Sequence, residues 1–175
     1  MSIYVFFQVF LIVIFIISGI SKLISISNFI DTIKELGFSK KFSSVIAIML
    51  SLLEVVVGVS LLFPAIFLLS FIGIFTLIIC FSIATWKSFH IVDKVNCNCF
   101  GTLADESLGL GSVLKILILF FITVWLLINY NHISIWSHSS LEIITSVMIT
   151  ISTIIIYSFL LLLKKFNKNM KGEYL

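Results

Sequence analysis

Two of the chain's three cysteines, Cys97 and Cys99, stand one residue apart in Asn96-Cys97-Asn98-Cys99-Phe100-Gly101, a polar gap between long apolar runs. A Cys-x-Cys pair can close on itself, but the ring is small and strained. Strain makes a disulfide labile and easily passed to another thiol. The flanking asparagines and Gly101 permit the turn that such a ring needs. The chemistry this spacing points to is thiol–disulfide exchange, with Cys97 and Cys99 as the catalytic pair; the plainer reading leaves them as two loop cysteines without a role. Zinc is the other chemistry to weigh, because His90 precedes Cys97 by seven residues. A structural zinc site needs four ligands, usually with two to four residues between paired cysteines, so no metal is expected.

Three residues could support that pair, and a fourth partners one of them. Glu54 falls in the middle of an apolar run. An ionisable group at that depth costs about 2.5–3.5 kcal/mol on insertion scales and normally faces a partner inside the bundle. Lys22 lies near the same membrane side and is the expected partner. The first expectation is an architectural lock between two spans; a proton path or the wall of a quinone pocket are the alternatives, which makes a quinone the candidate cofactor. Lys115, one turn into the helix after the cysteine loop, could favour a thiolate nearby or simply snorkel to the interface. Cys80 could resolve a mixed disulfide or serve as a small packing residue.

The elements that must position these residues are membrane helices. Of the 175 residues, 61% are hydrophobic and 11% charged, with a mean hydropathy of +1.27. A soluble domain needs about a quarter of its residues charged, so a lipid bilayer must solvate most of this exterior. The net charge of +3 is small and scattered; no basic stripe with interleaved aromatics suggests nucleic acid. Residues 3–20 read as a first span, with Gln8, Phe15 and Lys22 every seven residues on one stripe beside Ser18 and Gly19. Residues 27–37 read as a short amphipathic helix in the headgroup layer, capped by Ser27 and stopped by Gly37. Residues 43–86 divide at Phe63-Pro64 into two spans. Small and polar residues share one face of each: Ala47, Ser51, Glu54 and Gly58, then Ser70, Gly73, Cys80, Ala84 and Lys87.

A fourth span is expected over 113–130, capped by Ser112 and with Lys115 in its first turn. A fifth follows over 142–163, with Ser146, Thr150, Thr153 and Tyr157 on one face, and then a basic tail. The predicted fold class is therefore all-α: a polytopic helical bundle in the cell membrane with about five transmembrane helices, one integral membrane domain over residues 1–175. All eleven basic residues are lysines, and with five spans all of them fall on one side. Lysine collects in cytoplasmic loops, so the count puts the N-terminus outside and the cysteines inside.

Several of these residues together resemble the DoxX-like superfamily and, within it, the MauE family of redox-associated membrane proteins. Ser18-Gly19-Ile20-Ser21-Lys22-Leu23 resembles the family's Ser-Gly-x-x-Lys-Leu signature. Phe29 and Leu36-Gly37 are similar to its next segment, and Glu54 with Gly58 and Leu61-Leu62 to its second span. Cys97-Asn98-Cys99-Phe100-Gly101 resembles its Cys-x-Cys-Phe-Gly loop. Lys115-Ile116 stands where the family often has Arg-Asn. The similarity runs over about residues 5–128. It implies a membrane bundle tied to methylamine utilisation that assists disulfide formation, often beside a thioredoxin-like partner and outside the cytoplasm, the opposite side from the lysine count. A non-catalytic assembly or scaffold subunit is the alternative.

Overall fold

A computed structural model describes residues 2–89, 96–97, 106–107, 110–129 and 139–172. Among them lie six α-helices: α1 (Ile3–Ile24), α2 (Ile26–Glu35), α3 (Lys40–Ser60), α4 (Phe67–Phe89), α5 (Leu110–Ile128) and α6 (Ser140–Gly172). All but α2 are long and apolar enough to cross a membrane. The expected all-α membrane bundle is what the chain forms. Among the described residues, the one departure is a two-residue antiparallel pairing of β1 (Asn96–Cys97) with β2 (Glu106–Ser107), Cys97 opposite Glu106.

The helices end where the sequence withdraws support. After Ser60 the chain turns through Leu61 and Leu62 into a short 3-10 turn at Pro64–Ile66. Proline lacks an N–H but suits the first helical positions, so Pro64 ends one span and opens the next. Gly37, at φ +87°, supplies the left-handed residue that stops α2.

Three boundaries differ from expectation. The cap of α2 is Ser25 rather than Ser27. Helix α5 starts at Leu110, so Ser112 is a buried residue within it instead of its cap, and Lys115 falls in the second turn. Helix α6 runs on through the basic tail to Gly172.

Helices α1, α3, α4 and α5 form a ring in which each packs against the next, α1 also meeting α5. Helix α6 stands outside this ring against α1. Helix α2 leans on α3, where Phe29 and Ile33 are buried with Ala47. Its apolar face is thus covered in part by protein, and α2 is the short amphipathic helix expected after the first span. The main core gathers apolar side chains of α1, α3, α4 and α5, among them Val9, Leu11, Val57, Ile74, Leu77 and Leu126. The outward faces stay apolar, as at Val56, Ile72, Ile79 and Ile155, which suits contact with lipid.

Two glycines set the closest approach between α1 and α3. A Cβ on Gly19 would lie 2.6 Å from Val55 Cγ2 and 2.9 Å from the Ser51 carbonyl oxygen; one on Gly58 would lie 2.8 Å from Ile16 Cγ1. Helices α1 and α3 therefore meet backbone to backbone at two levels, as small residues allow in membranes.

Candidate functional site

The close seam between α1 and α3 brings together the two charges that the sequence placed in apolar surroundings. Lys22 and Glu54 are each 1% exposed, and the ammonium donates a hydrogen bond to Glu54 Oε1. The stripe of Gln8, Phe15, Ser18, Gly19 and Lys22 faces inward along its whole length, as does that of Ala47, Ser51, Glu54 and Gly58. Around Lys22 the site is aromatic: Nζ lies 4.3 Å from the centroid of the Phe81 ring and 5.3 Å from that of Phe29. Both rings turn a negative face toward the cation. A carboxylate, two rings and no bulk water make this a fully enclosed ammonium.

Glu54 is less completely served. Ser18 borders the carboxylate, but Oε2 is buried and has no hydrogen-bond partner of ordinary geometry among the described residues. Leaving such an acceptor dry costs about 1–3 kcal/mol, more for a charged group. The carboxylate opens onto a cavity of about 100 Å³ inside the ring, which Ser18, Lys22, Cys80, Phe81 and Lys115 also border. Helix α2 closes one end of this space with Phe29, Thr32 and Ile33.

Four of the six residues singled out from sequence, Lys22, Glu54, Cys80 and Lys115, therefore share one cavity. Cys80 is a free, partly buried thiol in its wall and sits well inside α4. Lys115 reaches across to α6, with Nζ 5.1 Å from the centroid of the Tyr157 ring. It also borders the cavity. The backbone of Cys97 lies in β1, alongside α2. Cys99 lies outside the described residues, as does His90.

A family model described as methylamine utilisation protein MauE matches residues 1–129. The chain belongs to the MauE family. No curated protein and no solved structure matches it. Every residue that borders the cavity falls within the matched span, whereas α6 lies wholly beyond it.

In this MauE-family chain, sequence reasoning missed the aromatic lining of the site. Phe29 and Phe81 are two of 18 phenylalanines, and nothing in their spacing separates a ring over a cation from one facing lipid. Thr32 and Thr85 were missed too, although each is a buried polar residue on an otherwise apolar or amphipathic helix. That was the available signal.

Proposed function

We propose that this MauE-family membrane protein supports thiol–disulfide exchange in methylamine utilisation, with Cys97 and Cys99 as the exchanging pair and a thioredoxin-like protein as partner. In that reading residues 1–175 act as one integral domain in the cell membrane. A thiolate of one partner attacks the disulfide of the other, forming a mixed disulfide and releasing one thiolate. The second cysteine of the attacking pair then displaces the remaining sulfur. One dithiol becomes a disulfide while one disulfide becomes a dithiol, so two electrons change hands without a further oxidant.

The observation that carries the reading is the position of the motif within a family member. Cys97 lies on a strand beside α2, at the end of the bundle where α1 and α4 emerge. Lys87, near the last turn of α4, lies with Nζ 4.6 Å from the centroid of the Phe38 ring just beyond α2, which ties that end together. The Cys97 backbone at this braced end of the bundle supports a pair that meets a protein partner there. Lys22 and Glu54 shape the bundle beneath it, and Lys115 and Cys80 lie in the cavity as supporting residues.

Acid quenching and alkylation of cells test the proposal. One of the single variants Cys97→Ser and Cys99→Ser is expected to accumulate a mixed disulfide with a second protein, because the resolving sulfur is gone. The double variant is expected to lose it entirely. A double variant that keeps full activity in cells would instead make the protein an assembly scaffold.

A further inference from the structure

The short ladder beside α2 sets one further residue against the sulfur chemistry. Its two steps pair Asn96 with Ser107 and Cys97 with Glu106. Residues directly opposite in an antiparallel pair have Cβ atoms about 4.5–5.5 Å apart and interact. The register therefore matches a thiol position with a carboxylate position, outside the spans and next to α2. Among the described residues, the elements packed on β1 do not offset that charge. Helix α2 brings Asp31 and Lys34, which pair with each other at 2.6 Å, and the exposed Glu35. Lys87, near the end of α4, rests over the Phe38 ring. Along the sequence, residues 95–104 include no charged residue, Asp93 and Lys94 cancel ahead of them, and Asp105 adds a second acid beside Glu106.

The thiolate, not the thiol, attacks a disulfide, and a like charge close by disfavours forming it. We infer that Glu106 holds Cys97 back and so orders the pair: Cys99 first bonds the partner, and Cys97 resolves the bond. The inference rests on the proposed exchange and deepens it, since that reading leaves the order of the two cysteines open. The Cys99 thiolate forms a bond to one sulfur of the partner's disulfide, and the other sulfur leaves as a thiolate. Cys97 then gives its proton to solvent and displaces the partner's remaining sulfur, closing the Cys97–Cys99 bridge. Two electrons pass to the partner, and in the opposite direction the same intermediates are met in reverse. The second step is intramolecular, so a small thiolate fraction at Cys97 suffices for it. Glu106 bonds to no sulfur; it is a positioning residue that acts through Cys97. Two unit charges about 5 Å apart in water repel enough to lower the thiolate fraction about fourfold, and more where protein displaces water.

The full chain in lipid nanodiscs at low salt tests the order, with Cys80→Ser as background and N-ethylmaleimide as the thiol probe. Each thiol is followed alone, Cys99 in Cys97→Ser and Cys97 in Cys99→Ser, from about pH 5 to pH 10, a span that brackets the ordinary thiol range. The midpoint of the alkylation profile is expected to lie at least about half a pH unit higher for Cys97 than for Cys99. Glu106→Gln should lower the Cys97 midpoint by about that amount and leave the Cys99 midpoint in place. Glu106→Asp keeps the charge and should keep the Cys97 midpoint high, whereas a purely structural role would not separate Asp from Gln by charge. In acid-quenched cells, Cys97→Ser should accumulate the mixed disulfide and Cys99→Ser much less. Equal midpoints, a Cys97 midpoint unmoved by Glu106→Gln, or trapping in Cys99→Ser alone overturns the inference and leaves the exchange standing. The expected midpoints with no mixed disulfide in either single variant would instead remove the exchange and uphold the hold of Glu106 on Cys97.

Discussion

Helices α1 and α6 are both long, apolar spans, yet they are used in opposite ways. In its most apolar stretch α1 is 50% buried, against 11% for α6. Helix α1 carries Gln8, Ser18, Gly19 and Lys22 inward and packs against three other spans. Helix α6 meets the bundle mainly through α1, with Ser146 and Thr150 buried and Ile155, Ile156 and Leu160 facing out. Hydropathy barely separates the two, 2.7 against 2.1. What separates them is how polar and small residues are distributed around each helix. In lipid an apolar side chain gains little from choosing a protein neighbour over an acyl chain, so polar groups and close backbone contacts decide which helices become the interior.

The harshest way to break this contrast is to remove one partner of the buried pair. Lys22→Met or Glu54→Gln alone strands a charge or a polar group in the seam, and loss of one member of a buried ion pair typically costs about 3–5 kcal/mol. The double variant Lys22→Met, Glu54→Met should recover most of that loss, since a well-packed apolar replacement is often neutral or better. Unfolding titrations in bicelles would measure all three. A stable double variant that has lost activity would show that the pair does more than fasten α1 to α3.

That pair was also the most legible part of the chain. Charges within apolar runs are few, and Lys22 and Glu54 fell on faces marked by small residues, so their meeting followed from helical periodicity alone. The turn at Pro64 was equally plain. Other features were ambiguous for physical reasons. An amphipathic helix reads the same whether its apolar face meets headgroups or protein, so the docking of α2 on α3 through Phe29 and Ile33 was out of reach. Ser112 resembled a cap because Gly111 before it resembled a loop, yet the helix already starts at Leu110. Cys80 and Lys115 were noticed separately, and their shared cavity depends on how α4 and α5 rotate against each other. No spacing in the sequence encodes that.

A smaller loss is expected from crowding the seam. Gly19→Ala pushes a methyl group against a backbone carbonyl as well as Val55, and Gly58→Ala pushes one against Ile16. Overpacking of this kind costs about 1–3 kcal/mol, and Gly19 should be the worse because the Ser51 oxygen at 2.9 Å cannot swing aside. Gln8→Leu should follow. The Gln8 amide donates to the Leu61 carbonyl at 2.8 Å, but Gln8 Oε1 already lacks a partner among the described residues. Interhelical hydrogen bonds in membranes average about 0.6 kcal/mol, so a loss near that size is expected in the same titration.

The smallest effect belongs to α6, and it sharpens the comparison most. Ile155 is 62% exposed and Ile156 59%, so each side chain has lipid as its neighbour in the single chain. Truncation to alanine there exchanges contacts with acyl chains for contacts with acyl chains, and surface changes of this kind stay within about 0.5 kcal/mol. Thr150→Leu makes the matched control on the opposite face. Its hydroxyl is buried and donates to the Ser146 carbonyl at 2.8 Å, so added bulk must push α6 away from α1. A larger loss at Thr150 than at Ile155 confirms that α6 is held along one edge. A large loss at Ile155 would mean that a second protein surface, rather than lipid, covers the outer face of α6.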